Sequence, residues 1–271
     1  MTAARGAWPV LKGLGRHRHL IWQLTQRELA ARYRGSLLGF FWTFLNPVLM
    51  LSVYTFVFSV AFKARWPGAS ASRTEFALIL FSGLVVFTLF TEPILRSPFL
   101  IVSNANYVKK IVFPLEALPC VALATALFNA GVGFSLLLAA SVLLGSSVHW
   151  TVLFLPLTLL PVALVSLGLS WLLASLGTFL RDVGPVVGVL AQVLMFMTPI
   201  FYPLAALPEP FRRIVGLNPL AFVIEQVRGH IFYGRPPDWL RLAVFIAAGL
   251  VIGWLGLSFF QRTRNAFANV L

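Results

Sequence analysis

LTQRELAARYRGSLLGFFWTFLNPVLMLSVYTFVFSVAF, residues 24–62, is the stretch from which the rest of this chain is read. Its opening part, Leu24 to Arg34, mixes Arg27, Glu28, Arg32 and Arg34 with apolar side chains, whereas residues 37–62 hold no ionised group and are crowded with aromatics. On a helix, Trp22, Leu29 and Tyr33 fall on one face and Arg27 and Arg34 on another. This is the pattern of an imperfect amphipathic helix in the headgroup layer, although basic flanking of a first membrane span would produce a similar one. Glu28, set between Arg27 and Arg32, is out of place in a mere lipid anchor and points to protein contact.

The apolar run that follows is long enough to cross a bilayer, which takes about 20 residues. Phe40 and Phe44 are four apart within it, as are Tyr54 and Phe58, and Phe41, Trp42, Phe56 and Phe62 add to the density. Such faces either pack on lipid or stack on sugar rings, with Tyr able to hydrogen-bond as well. Asn46-Pro47 removes a backbone hydrogen bond and should kink the helix.

Composition extends this reading to the whole chain. Of its 271 residues, 59% are hydrophobic and only 11% charged, against about 25% charged in soluble domains; with a mean hydropathy of +0.89, its natural solvent is lipid. A single cysteine, Cys120, excludes a disulfide framework within the chain and any cysteine-based metal site. His17, His19, His149 and His230 are scattered, with no metal-site spacing. The net charge of +13 does not indicate nucleic acid, because the basic residues flank apolar spans instead of forming a soluble domain. No cleavable signal peptide is visible: the basic residues before position 35 are followed by an apolar run too long for a signal core.

Six spans are expected, at about 37–62, 76–95, 117–145, 150–180, 184–203 and 239–260. An even number puts both termini on one side. With the N-terminus inside, 13 of the 21 basic residues lie in inner segments, which favours cytoplasmic termini. Two connections are too elaborate for plain loops. Ser103 to Glu116 has a polar start, Lys109 and Lys110, and a short apolar run ending at Pro114, which suits a short helix on the membrane surface. Tyr202 to Asp238 is punctuated by six prolines, and its two apolar pieces are too short to span, so a re-entrant or interfacial pair is expected.

Glu92 is the one carboxylate well inside an apolar segment, and Arg96 follows at i+4. The spacing predicts a structural ion pair along that helix, although an intramembrane acid also marks a candidate functional site. Arg181-Asp182 reads as a short inner turn, and Glu225 and Arg228 as an i,i+3 pair. There is no G-x-x-x-x-G-K-[ST] loop to cradle ATP. Nor is there an Asp-rich cluster to hold Mg²⁺ against a diphosphate, which argues against a membrane transferase.

The same stretches resemble the permease subunits of type-2 ABC polysaccharide exporters, the family that exports O-antigen and teichoic acid. Residues 24–62 resemble the start of those permeases; NANYVKKIVFPLEALP (104–119) is similar to their cytoplasmic coupling segment. RDVGPVVGVLAQVLMFMTPIFYP (181–203), NPLAFVIEQVRG (218–229) and PDW (237–239) look like the fifth span and outer gate region. The resemblance covers about 24–260, is closest to the O-antigen branch, and departs from the capsule-export permeases at the N-terminal block.

It implies an all-α integral membrane protein, a single permease domain over 1–271 with six transmembrane helices. An N-terminal amphipathic interface helix (18–36), a cytoplasmic coupling helix (103–116) and re-entrant outer gate helices between spans five and six (203–238) complete it. It implies a homodimer of this chain with two copies of a nucleotide-binding ABC ATPase, in the bacterial inner membrane with both termini cytoplasmic. The cargo would be undecaprenyl-diphosphate-linked polysaccharide. The chain itself would be no enzyme and bind no cofactor, ATP and Mg²⁺ residing on the partner. By the same resemblance Arg27, Glu28, Arg32, Arg34, Tyr107, Lys109, Lys110 and Phe113 would meet the ATPase. Trp42, Tyr54 and Phe58 would line the path, and Tyr202, Arg212, Arg213, Glu225 and Arg228 would belong to the outer gate. Two alternatives stay open: an ABC exporter of a small lipophilic compound or drug, and an ATP-independent secondary transporter or channel, for which Glu92 is the sole candidate ion site.

Overall fold

The structure is a computed structural model that describes residues 15, 17–34, 39–54, 56–57, 73–108, 113–144 and 148–271. Among these residues it is all helical. Eleven helices are numbered in chain order: α1 Arg18–Tyr33, α2 Trp42–Tyr54, α3 Arg73–Leu100, α4 Ala105–Val108, α5 Ala117–Leu143, α6 Leu155–Phe179, α7 Val183–Met197, α8 Glu209–Gly216, α9 Pro219–Phe232, α10 Trp239–Thr263 and α11 Phe267–Val270. Four segments, Glu75–Leu100, Ala117–Leu143, Trp150–Phe179 and Trp239–Val270, are long and apolar enough to cross a membrane. Two expected spans are represented by shorter apolar helices, Trp42–Val53 and Val183–Met197. The second of these stops before the expected limit at 203 for a local reason. Thr198 precedes Pro199 and is extended (ψ 139°), as the proline ring requires of its neighbour.

The bundle is built around α3 and α6. Helix α6 packs most extensively against α10 and then α3, while α3 also contacts α5, α7 and α9. Close backbone approach makes this possible. A Cβ on Gly256 would lie 2.0 Å from the Gly168 carbonyl oxygen, and one on Gly177 would lie 2.2 Å from that of Pro98. In lipid, where apolar area gives helices little reason to associate, small residues that admit such contact are the usual means. Pro93 and Pro98 sit inside α3 and each removes a backbone donor. Hydroxyls bond into the same stretch: Ser166 Oγ of α6 donates to Phe90 O at 3.1 Å and Ser97 Oγ to Pro93 O at 2.5 Å.

The core is divided into two main clusters. The larger joins α3, α5, α6 and α9 through residues such as Phe81, Val86, Leu137, Val162, Val223 and Val227. The other lies at one end of the bundle, where Ile101, Leu115, Trp171, Phe260 and Phe267 meet, with Tyr107 and Phe113 packed against them. The described residues between α3 and α5 and the C-terminal turn are thereby seated together.

Candidate functional site

At this end α1 lies against α5. Thr25 is buried, whereas Trp22 is 58% exposed. The face that meets the rest of the chain carries Thr25, Glu28 and Arg32, while Trp22 of the apolar stripe looks outward. Arg32 Nη2 contacts Glu92 Oε1 of α3 at 2.5 Å, and Arg96 of α3 pairs with Glu28 of α1. Glu92 and Arg96 thus do not pair along their own helix, as the i,i+4 spacing predicts. Each reaches across to the oppositely charged residue of α1. The two helices run antiparallel here, and each offers Glu-x-x-x-Arg, so docking satisfies both pairs at once.

Helix α5 supplies the neutral part. Asn129 Nδ2 donates to Glu92 Oε1 and Oε2 at 3.1 and 2.9 Å, and Thr125 Oγ1 donates to Glu28 Oε1 at 3.1 Å. Beside the pairs lies a groove of about 440 Å³ lined in part by Leu24, Arg27, Glu28, Arg96, Asn104 and Tyr107.

The expected coupling segment begins as a 3-10 turn over Val102–Asn104 that runs into α4. Asn104 Nδ2 donates to Leu100 O at 2.8 Å, and the Tyr107 and Phe113 rings stack at 4.3 Å. Its far end is clamped by residues the sequence reading did not single out. Arg264 Nη1 donates to Glu116 Oε2 at 3.0 Å and Oε1 at 3.3 Å, its Nη2 donates to Phe113 O, and Trp171 Nε1 donates to Glu116 O at 3.0 Å.

At the opposite end, Arg228 is 1% exposed. Its guanidinium donates to the carbonyls of Ile79 (3.2 Å), Pro199 (2.8 Å) and Ile200 (2.9 Å) and to Glu225 Oε1 (3.2 Å). It thereby ties the start of α3, the break after α7 and helix α9 together. His230 is also buried, its Nδ1 2.7 Å from Arg235 O and its Nε2 2.9 Å from Thr158 Oγ1. The other expected gate residues lie on more open ground. Tyr202 Oη donates to Phe196 O at 3.0 Å, Arg212 to Ala205 O and Leu207 O, and exposed Arg213 pairs with Glu209.

The structure therefore brings Arg27, Glu28 and Tyr107 to one groove and Arg32 to the adjoining charge cluster, while Arg34 is exposed. Phe113 stacks on Tyr107, and Trp42 is half-buried at the start of α2. Phe58, Lys109, Lys110 and the side chain of Tyr54 lie outside the described residues. Thr125, Asn129, Glu116 and Arg264 were missed. The repeated Glu-x-x-x-Arg at 28/32 and 92/96 was a usable signal for the crossed pairs, since two such helices match when antiparallel, but nothing in the sequence marked their neutral partners.

A multi-helical membrane protein with polar clusters at both ends of its bundle is the class this fold defines. Residues 19–232 match the ABC-2 type transporter family, and the chain belongs to it. It is 31% identical over 261 residues to the O-antigen export system permease protein RfbA of Myxococcus xanthus, covering 96% of this chain and 98% of that protein. An RfbA of Klebsiella pneumoniae is 27% identical, with 92% and 93% covered. The polysialic acid transport protein KpsM of Escherichia coli is 26% identical, with 89% and 92% covered.

Proposed function

We propose that this chain is the channel-forming permease subunit of an ATP-driven exporter of undecaprenyl-diphosphate-linked polysaccharide of the O-antigen type. The observation that carries the reading is near end-to-end similarity to an O-antigen export permease, over 96% of this chain and 98% of that protein. In this reading two copies of the chain form the channel and two copies of an ABC ATPase bind the cytoplasmic end, holding the ATP and Mg²⁺. The chain crosses the bacterial inner membrane six times, α2 and α7 being the first and fifth spans, with both termini cytoplasmic. Support for that topology is the gathering of α1, residues 101–108 and 113–116 and the C-terminal turn at one end of the bundle.

Helix α1 and the coupling segment receive the push of ATP-driven closure. The groove between them, lined by Arg27, Glu28 and Tyr107, belongs to the surface facing the ATPase, with Arg34, Lys109 and Lys110 nearby in the chain. Trp42, Tyr54 and Phe58 line the path, where aromatic faces stack on sugar rings without reading their sequence. The α8–α9 region, with Tyr202, Arg212, Arg213, Glu225 and Arg228, forms the outer gate. Deleting the gene from its host tests the substrate. Lipid-linked glycan should accumulate on the inner face of the membrane and surface polysaccharide should fall. Normal surface polysaccharide together with new sensitivity to a lipophilic drug would replace the cargo with a small compound.

A further inference from the structure

We propose that Glu28, Arg32, Glu92 and Arg96 form a crossed ionic joint through which displacement of α1 is passed to α3, with Thr125 and Asn129 as the positioning residues that hold its two carboxylates. This rests on the exporter reading, since it assigns the path of the push within that machine.

The geometry supports a joint more than a simple anchor. Most of α1 is exposed: Arg18, His19, Trp22, Gln23, Arg27 and Ala30 all face outward. Its polar attachment to α3 is the two crossed pairs, Arg32 with Glu92 and Glu28 with Arg96. Two contacts one helical turn apart resist rotation of one helix over the other, which a single contact would not. A translation of α1 is then imposed on α3 as a whole. Helix α3 is a suitable lever. From Glu92 to Ile79 it runs on the order of 20 Å at 1.5 Å per residue, and at Ile79 its carbonyl accepts from Arg228, the buried centre of the outer cluster. A push at the joint thus reaches the proposed gate through one continuous element.

The neutral residues make the proposal testable by charge exchange. Asn129 donates to Glu92 through Nδ2 while its Oδ1 is buried without a partner. Turning the amide over would present that oxygen to an arginine at position 92. Thr125 has a hydroxyl that both donates and accepts. The site is therefore built so that reversing the sense of a pair leaves it satisfied, whereas reversing one member places like charges together at a site where Glu92 is only 13% exposed.

The test uses the full chain purified with its nucleotide-binding partner and reconstituted in liposomes, measuring both co-purification and the ATP hydrolysis that depends on the permease. Arg32→Glu and Glu92→Arg should each lower that hydrolysis about tenfold while the complex still co-purifies. The double exchange should return it to within about threefold of the parent, which is the non-additivity expected of a direct pair. Asn129→Leu, which keeps all four charges, should lower hydrolysis without affecting assembly. Unchanged hydrolysis in the single reversals overturns the joint. If the single reversals fail to assemble, the exchange decides: restored assembly with no restored hydrolysis makes the four residues structural and also overturns it. A parent chain that never pairs with an ATPase overturns the exporter reading itself, a result separable from the others because it precedes any substitution.

Discussion

Arg228 is the residue whose loss the outer end of the bundle should tolerate least. Its guanidinium serves three backbone carbonyls, one in α3 and two in the break after α7, and a buried acceptor that loses its donor costs about 1–3 kcal/mol. Because neighbours relax and the surviving Glu225 is 42% exposed, the three losses do not sum in full, and Arg228→Ala should destabilise the chain by about 2–4 kcal/mol. Arg228→Lys should fall between, since an ammonium lacks the planar fork. Thermal unfolding in detergent measures both, and an unchanged midpoint in the alanine variant would contradict this role. The Glu225–Arg228 spacing was legible in the sequence and the pair is present at 3.2 Å. The three carbonyls were not, because Ile79 and Pro199 are far away in the chain and carbonyls leave no residue-type signal. Glu92 and Arg96 were legible as charges but not as partners. Local spacing favours i,i+4 pairing, and only the docking of α1 made a better arrangement available to both.

Helix α7 carries the prediction at the scale of elements. It packs on α3 and, less extensively, α6, and leaves Val186, Val189, Leu190, Val193 and Phe196 exposed in the single chain. In the proposed dimer this face meets a second copy. With Cys120→Ser as background, Val189→Cys or Leu190→Cys should cross-link two copies under mild oxidation, whereas Leu250→Cys on the exposed side of α10 should not. Cross-linking at position 250 with none at 189 or 190 would move the interface. Four of the long apolar segments were legible at this scale because apolar length is what a bilayer selects. Helix ends were less so: α7 ends at Met197 because of Pro199, and α10 continues to Thr263, past the expected limit at 260. The seam between α6 and α10 was also missed, although Gly249 and Gly253 stand in a G-x-x-x-G spacing.

For the whole molecule, three features share one end of the bundle: the α1 charge cluster, the stacked Tyr107 and Phe113 rings, and the Glu116–Arg264 clamp to the C-terminal turn. The other end is gathered around Arg228 and His230. The spans between hold few charges, so coupling between the ends falls to rigid helices in close contact. This division suits a subunit that receives work at one end and opens at the other, doing no chemistry itself. The most direct measurement is co-expression with the ABC ATPase proposed as its partner, followed by purification through a tag on this chain. The account predicts a stable complex with two copies of each subunit, whose ATP hydrolysis exceeds that of the ATPase alone. A well-folded chain that pairs with no such ATPase would contradict it and return Glu92 to consideration as the ion site of a secondary transporter.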